Sequence, residues 1–410
     1  MSARQRNILW TATLACLMLQ GCASPARLPA VPEDRTTQAV VPGVPNARYW
    51  VDIDVSGMTR DVIKSFGREQ EKRVAAGRAN EPLPPVSFLA ISGGGDDGAF
   101  GAGLLVGWTE TGTRPQFKLV TGISTGALMA PFAFLGSKRD PELREVYTSI
   151  GPSHIFKPRG MMAVITNDGL ADNSPLWSLL SKYITADFLQ QIAAEYAKGR
   201  FLLIGTANLD VRRPVIWNMG EIATSTDPRA LDLFRRIMIA SASIPGAFPP
   251  VMFDVELDGK PYQEMHVDGG AMAQVFLYPP RLKQSIEQAT GQKLVERERS
   301  VYIIRNTRLD PHWAQIDRKT LSIMGRAINS MIQTQGIGDL YRIYTTSQQD
   351  GLDFNLAYIG PEFGVVHKEE FDTEFMRALF DYGYQLAKKG YQWKKAPPGL
   401  TAPAQPNPAK

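Results

Sequence analysis

Ser124 lies in Gly122-Ile123-Ser124-Thr125-Gly126, after an apolar run, Phe117 to Thr121, and before a helical pattern through Leu128, Met129 and Ala130. A serine between strand and helix is in the setting of a nucleophile elbow. The tight turn lifts the hydroxyl clear of the sheet edge, and the helix aims its positive end at the oxygen on which charge forms. By itself Gly-x-Ser-x-Gly is a weak signal, because both residue types are common. About 30 residues upstream, Ser92-Gly93-Gly94-Gly95-Asp96-Asp97-Gly98 follows another apolar run, Val86 to Ile91, and opens a helical stretch, Ala99 to Gly103. Successive glycines let backbone N–H groups turn toward one point, an arrangement suited to the oxyanion of acyl transfer. A phosphate-binding loop is the competing reading, but the Gly-Lys-Ser/Thr ending is missing and two acids would repel phosphate. The third element is His266-Val267-Asp268-Gly269-Gly270, whose carboxylate could take the serine proton as general base. Standing alone, it would read as an ordinary Asp-Gly surface turn.

In order and approximate spacing, Gly93-Gly94-Gly95 with Gly98, Gly122 to Gly126, and Asp268-Gly269-Gly270 resemble the patatin-like phospholipase family. Ser241-Ala242-Ser243-Ile244-Pro245 with Phe248-Pro249-Pro250 also looks like the segment that family carries shortly before its catalytic Asp. The resemblance covers Val86 to Gly270. It implies a three-layer α/β/α fold with a largely parallel central sheet and a Ser-Asp dyad. Ser124 would be the nucleophile and Asp268 the base, with an oxyanion hole in the loop of Gly93, Gly94, Gly95 and Gly98. Gly122, Gly126, Gly269 and Gly270 would support the motifs. The implied activity is hydrolysis of carboxylic esters of lipids through an acyl-enzyme, of phospholipase A, lysophospholipase or esterase type, without cofactor or metal. The family usually has Arg or Lys where this chain has Asp97. That change removes a positive charge near the substrate and leaves a neutral lipid, a lysolipid or another acyl ester open beside an anionic phospholipid.

The chain has four histidines, His154, His266, His312 and His367. In the order Ser, acid, His, Asp268 could partner His312 or His367, although neither lies in a Gly-rich loop or follows a clear strand. His266 is expected to point to the opposite side of the segment from Asp268 and to be structural. No cluster of His, Cys, Asp and Glu has metal-ligand spacing. Outside enzymology, the alternative is a noncatalytic outer-membrane lipoprotein that uses the same fold to bind a lipid or a partner. A serine peptidase or general esterase is a further alternative. The intact serine, glycine loop and aspartate favour an enzyme over a binding protein, and the sequence does not separate the enzymatic readings by substrate.

These residues need elements to hold them. Val86 to Ile91, Phe117 to Thr121, Phe201 to Ile204 and Val301 to Ile304 are continuous apolar runs, as expected of strands buried on both faces, and alternate with helical patterns. Asp227-Pro228 reads as a cap and first-turn proline opening a helix with Leu231, Phe234, Ile237 and Met238 on one face. Further helices are expected around 323–337 and 371–387, covering the sheet or cleft. A chain of 410 residues with 44% hydrophobic content can build a substantial core, and a net charge of +4 argues against nucleic-acid partners.

At the N-terminus, Arg4 and Arg6 precede an apolar Ile8 to Leu19, which as a helix would rise about 18 Å, short of a bilayer core of roughly 30 Å. Residues 1–21 therefore read as a signal peptide. Leu19-Gln20-Gly21-Cys22 resembles a bacterial lipobox, which implies lipidation of Cys22 and a membrane anchor, with a plain secretory leader as the alternative. Cys16 and Cys22 are the two cysteines, so no internal disulfide remains after Cys16 is removed. Ala23, rather than Asp, follows the Cys and points to the outer membrane. The expected organisation is a Pro-rich extended tether over 22–48, a hydrolase domain over 49–395 with its motif core at 86–270, and an unstructured Pro-rich tail over 396–410. Substrate or lipid membrane are the expected partners.

Overall fold

A strand buried on both faces must be apolar at nearly every position. All four apolar runs are strands in the computed structural model, which describes residues 26–160, 167–311, 313–366 and 368–400. In chain order come β1 (Arg48–Tyr49), α1 (Ser56–Ala75), β2 (Val86–Ile91), α2 (Gly98–Glu110), β3 (Phe117–Gly122), α3 (Thr125–Leu135) and α4 (Asp140–Thr148). Two short strands, β4 (Lys157–Pro158) and β5 (Ala171–Asp172), pair with each other before α5 (Ser174–Tyr183) and α6 (Ala186–Tyr196). The second half holds β6 (Phe201–Asn208), β7 (Arg213–Asn218), α7 (Met219–Thr224), α8 (Ala230–Ser241), β8 (Val251–Leu257) and β9 (Lys260–Asp268). It ends with α9 (Leu282–Thr290), β10 (Arg299–Arg308), α10 (Thr320–Asp350), β11 (Asp353–Ile359) and α11 (Thr373–Lys388).

The sheet runs β1-β7-β6-β3-β2-β10-β11, and β6, β3, β2, β10 and β11 are parallel to one another. Strands β8 and β9 form an antiparallel hairpin that joins the sheet through β6. Alternation along β2 sends Leu89 and Ile91 into one core, with α2, α3, α8 and α11, and Ala90 into another, with α1, α9 and α10. Helices on both faces of a largely parallel sheet make the three-layer α/β/α arrangement. Among the described residues no helix is long and apolar enough to cross a membrane.

Two expectations change. Asp227 is not the cap of α8, which begins at Ala230; its carboxylate accepts from Arg229 N at 2.8 Å, closing a short turn just before the helix. The segment expected to be an extended tether over 22–48 is packed on the domain from residue 27 onward. Its prolines alternate with Val31, Ala39, Val41, Val44 and Ala47, all buried, and Val40 pairs with Glu256 to cover the edge of β8. Arg27 holds Asp210 at 2.7 Å, and Pro29 accepts from Gln263 N at 3.0 Å. Arg48 makes a bidentate contact with Glu264 in the interior, one arm at 2.9 Å. The signal peptide, Cys22 and residues 401–410 lie outside the described residues; nearer the body, Tyr341 donates to the Pro398 carbonyl at 2.5 Å.

The buried Arg48 guanidinium should make this strap part of the cooperative unit. Arg48→Met strips the cation from a buried carboxylate and should cost about 3 kcal/mol, read as a lower urea midpoint. An unchanged midpoint would mean that the strap is a passive tether.

Candidate active site

Strand β3 ends at Gly122, and the chain turns through Ile123 and Ser124 before α3 begins at Thr125. Ser124 sits at φ 55° and ψ −126°, a backbone conformation that costs an L-residue on the order of 1–3 kcal/mol. Close packing enforces it. A Cβ on Gly122 would stand 2.4 Å from the Gly126 carbonyl oxygen, and one on Gly126 would stand 2.4 Å from that of Ile91. The Ser124 N–H donates to Ser241 Oγ at 3.0 Å, and that hydroxyl donates to the Gly205 carbonyl at 2.7 Å. Ser241 thus ties the elbow to β6.

The glycine loop leaves β2, next to β3, so parallel pairing alone brings it beside the elbow. A Cβ on Gly93 would lie 3.1 Å from Ser124 Cβ and 3.7 Å from its Oγ. Gly94 has φ 153°, and a side chain there would strike the Asn306 carbonyl oxygen at 2.0 Å. Asn306, at the end of β10, also clamps the loop's base: it donates from N to Ser92 Oγ at 2.8 Å and from Nδ2 to the Ser92 carbonyl at 3.0 Å.

The four expected oxyanion donors divide. Gly93 N–H donates to the Gln274 carbonyl at 3.0 Å, and Gly98 N–H donates within the loop to Asp96 and Gly95. These two amides hold the loop in shape and are not open to a ligand. The N–H groups of Gly94 and Gly95 make no hydrogen bond among the described residues. Behind the loop lies Arg305 of β10, 1% exposed, with its Nε and Nη1 unpartnered among the described residues. Burial lowers its pKa to about 10, against the opposing pull of Asp339 and Asp97. A positive charge therefore stands near Asp97, contributed by a different strand.

Asp268 reaches the same place from the other direction. Strand β6 pairs with β3 up to Ile204 and with β9 from Thr206, so β9 takes up the slot beyond the end of β3. Asp268, the last residue of β9, is buried, with its N–H donating to the Ser243 carbonyl at 2.8 Å. Gly269 packs against the Gly205 carbonyl, and Gly270 N–H donates to Asp268 Oδ1 at 2.7 Å. The other oxygen, Oδ2, is buried without a hydrogen-bond partner among the described residues. Burial raises the Asp268 pKa to about 7; the facing Ser124 hydroxyl and the Gly270 amide pull it down without offsetting that effect. The contact with Ser124 is looser than an ordinary hydrogen bond, as free sites often are.

His266 is structural, but the expected opposite orientation is corrected. Residues two apart on a strand share a face, so Glu264, His266 and Asp268 project together. Both ring nitrogens of His266 are occupied, Nδ1 by Thr206 Oγ1 at 2.8 Å and Nε2 by Glu264 Oε2 at 3.1 Å. His154 accepts a local hydrogen bond from Gly151 N at 3.3 Å, while His312 and His367 lie outside the described residues. Beside the elbow is an apolar cavity of about 50 Å³ lined by Gly95, Thr125, Leu128, Phe132, Leu180 and Tyr183 among others. Ser241, Gln274, Arg305 and Asn306 are the supporting residues that motif reading does not single out. Ser241 alone had a signal, its place in the Ser-Ala-Ser-Ile-Pro segment.

Residues 89–279 match the family model Patatin-like phospholipase. No curated protein matches the sequence. Among solved structures, VipD from Legionella pneumophila is 11% identical, with 74% of this chain and 67% of that one covered and a TM-score of 0.30. Human GIVD cytosolic phospholipase A2 is 11% identical, covering 82% and 63%, with a TM-score of 0.33. Full-length ExoU of Pseudomonas aeruginosa, in complex with SpcU, is 11% identical, covering 75% and 52%, with a TM-score of 0.31. This chain thus spans between 52% and 67% of those three chains. The matched stretch contains the glycine loop, Ser124 and Asp268, and over that stretch, somewhat under half of its length, the chain is similar to the patatin-like phospholipase family.

Proposed function

We propose that the protein is a serine lipid acyl hydrolase in which Ser124 and Asp268 work as a dyad. The observation that carries this reading is the buried Asp268 carboxyl, with no cation beside it and one oxygen unpartnered among the described residues, facing a serine on a strained turn. In the proposed cycle Asp268 takes the hydroxyl proton as Ser124 Oγ bonds to the ester carbonyl carbon. The carbonyl oxygen gains negative charge between the free amides of Gly94 and Gly95. Collapse expels the alcohol, which leaves with the proton from Asp268, and the acyl group remains on Ser124. Water, deprotonated by Asp268, then releases the fatty acid. The apolar cavity at Gly95 and Thr125 would accept the first methylenes of the acyl chain. Lipidation at Cys22 and outer-membrane residence belong to the same proposal; Cys22→Ser should move the protein from the membrane to the soluble fraction of fractionated cells.

A base with a pKa of about 7 is half protonated at neutral pH. kcat/KM on p-nitrophenyl esters should therefore rise through pH 7 as one proton is lost, followed at the isosbestic wavelength of the product. Ser124→Ala and Asp268→Asn should each lower it by at least a thousandfold while staying folded. Ser124→Ala with wild-type turnover would rule out the dyad.

The same carboxyl should also weigh on stability. Its pKa in the folded chain is about 7 against an ordinary 3.8, so the folded state holds a proton that the unfolded state has lost. Stability then declines as pH rises from about 4 to 7. Asp268→Asn should raise the thermal midpoint at pH 8 and leave it near wild type at pH 4. Equal midpoints at pH 8 would mean that the carboxyl is better solvated than its burial indicates.

A further inference from the structure

Val86, Phe201 and Arg299 open β2, β6 and β10, and all three line a cavity at the amino end of the parallel sheet, the end opposite Ser124. Acyl transfer does not use it. The cavity lies between α1, α9 and the sheet and has a volume of about 120 Å³. Met58 and Phe66 of α1, Phe88 of β2, Leu119 of β3, and Leu282 and Ile286 of α9 give it an apolar wall. An apolar cavity near that size stays dry and takes an apolar guest; one of about 150 Å³ holds a benzene ring. Phe66, Lys283 and Leu294 are only partly buried, which leaves an entrance between α1 and the segment after α9.

The sheet itself turns one basic side chain into this wall. In the pairing of β2 with β3, Ser87 faces Phe117 and Phe88 faces Leu119, so Lys118 is an extra residue, a β-bulge. Phe117 packs in the core on the α2 side, whereas Lys118 and Leu119 both line the cavity. In a regular strand Lys118 would alternate away from Leu119. The Lys118 side chain is 16% exposed, and its ammonium meets Glu69 Oε2 at 2.7 Å. Arg297, 4% exposed, donates to Glu69 Oε1 at 2.9 Å. Arg68 completes the group: burial lowers the Lys118 pKa, Glu69 pulls it back up, and Arg297 and Arg68 push it further down. The Arg68 guanidinium lies over the Tyr196 ring at 4.6 Å, and its Nε and Nη2 are buried without a hydrogen-bond partner among the described residues. Those two atoms are the donors of its side-on fork.

Three cations thus gather around one carboxylate beside an apolar cavity, and the other charges nearby do not supply a second anion. Of the side chains lining the cavity, Lys283 and Arg299 add positive charge, and the carboxylate of Asp350 accepts from the Tyr278 hydroxyl at 2.9 Å. Asp61 of α1 accepts from Tyr49 and lies 3.6 Å from Lys64, Glu287 of α9 accepts from the Leu294 N–H, and Glu195 pairs with Lys198 and Arg200. Glu296 and Glu298 are exposed and alternate with Arg297 and Arg299, which places them on the outer side of their segment. Cations withdrawn from water in excess of acids call for an anion, and an arginine fork takes a planar pair of oxygens bidentately. We propose that this cavity binds a single-chain carboxylate amphiphile, a fatty acid, with its alkyl chain between α1 and α9 and its carboxylate on Arg68, Lys118 and Arg297. The site is separate from the Ser124 cleft, and the inference holds whatever the chemical role of Ser124.

The test uses the chain from residue 26, where the described fold begins, so that the apolar leader contributes nothing. It is titrated in a calorimeter with octanoate, octanol, octyl phosphate and acetate, each kept below its micelle concentration. Octanoate should saturate a single site and bind about tenfold more tightly than octanol, which lacks the charge, or acetate, which lacks the chain. Octyl phosphate should bind more weakly than octanoate. Arg68→Gln and Lys118→Met should each weaken octanoate about tenfold, and Ile286→Trp, which fills the cavity, should abolish its binding. Crystals of the wild-type chain soaked in 8-bromooctanoate locate the ligand without any substitution, even if these variants fold poorly: the bromine should lie between α1 and α9. Octanol as tight as octanoate, octyl phosphate tighter than octanoate, folded variants that bind as wild type, bromine beside Ser124 alone, or no saturable binding would each overturn the proposal.

Discussion

A buried carboxyl without a cation is the constraint around which this molecule is organised. Two acids project from the same face of β9, four residues apart, and both are buried. Burial alone would raise the pKa of each. For Glu264 the effect is overturned by the Arg48 guanidinium and by His266, and its pKa falls to about 2. For Asp268 no cation approaches among the described residues, and burial raises the pKa to about 7. One strand thus carries a permanently charged structural acid and a carboxyl poised to exchange a proton, separated by environment alone. The N-terminal strap that delivers Arg48 keeps the first acid charged while leaving the second without a cation.

The geometry of the other partner follows from the same junction. Strand β3 must stop at Gly122 for β9 to occupy the slot beside β6, and the turn this forces is the one that gives Ser124 its positive φ. Strain at one position persists because neighbours hold it. Ser241 fixes the Ser124 N–H, the Gly126 backbone lies against Ile91, and Asn306 clamps the glycine loop. Elements from both halves of the chain therefore share in placing one hydroxyl.

What could be read from the sequence follows the range of the forces involved. Strands buried on both faces announce themselves as apolar runs, so a largely parallel α/β sheet was legible; the grouping of Ser124, the loop and Asp268 was legible only through the resemblance of the ordered glycine motifs to the patatin-like family. The strap over 27–48 was not, because proline content speaks of local stiffness, whereas burial of Val31 and Val41 is decided by an uncovered edge of β8 some 200 residues onward. Nor could four glycines reveal which amides stay free. That depends on the Gln274 carbonyl, which closes on Gly93 only in the folded chain. His266 was placed on the wrong side through misjudged strand parity, and its structural role comes from Thr206 and Glu264, which no local pattern links to it.

Arg305 shows why a loop's charge should be counted in space rather than along the chain. At position 97 an acid stands where patatin-like sequences usually carry Arg or Lys, which taken alone makes the loop more negative. Yet a guanidinium 1% exposed lies close enough for Asp97 and Asp339 both to stabilise its charge, and Gly336 leaves it room, since a Cβ there would stand 2.5 Å from Arg305 Nη2. Burying that charge with two donors unpartnered is costly, and hydrophobic packing of the same volume would often serve stability as well. Its pKa near 10 still leaves it charged at neutral pH. The field at the free amides of Gly94 and Gly95 is therefore set by an acid and a cation from different elements, and the acid at position 97 does not by itself exclude an anionic substrate.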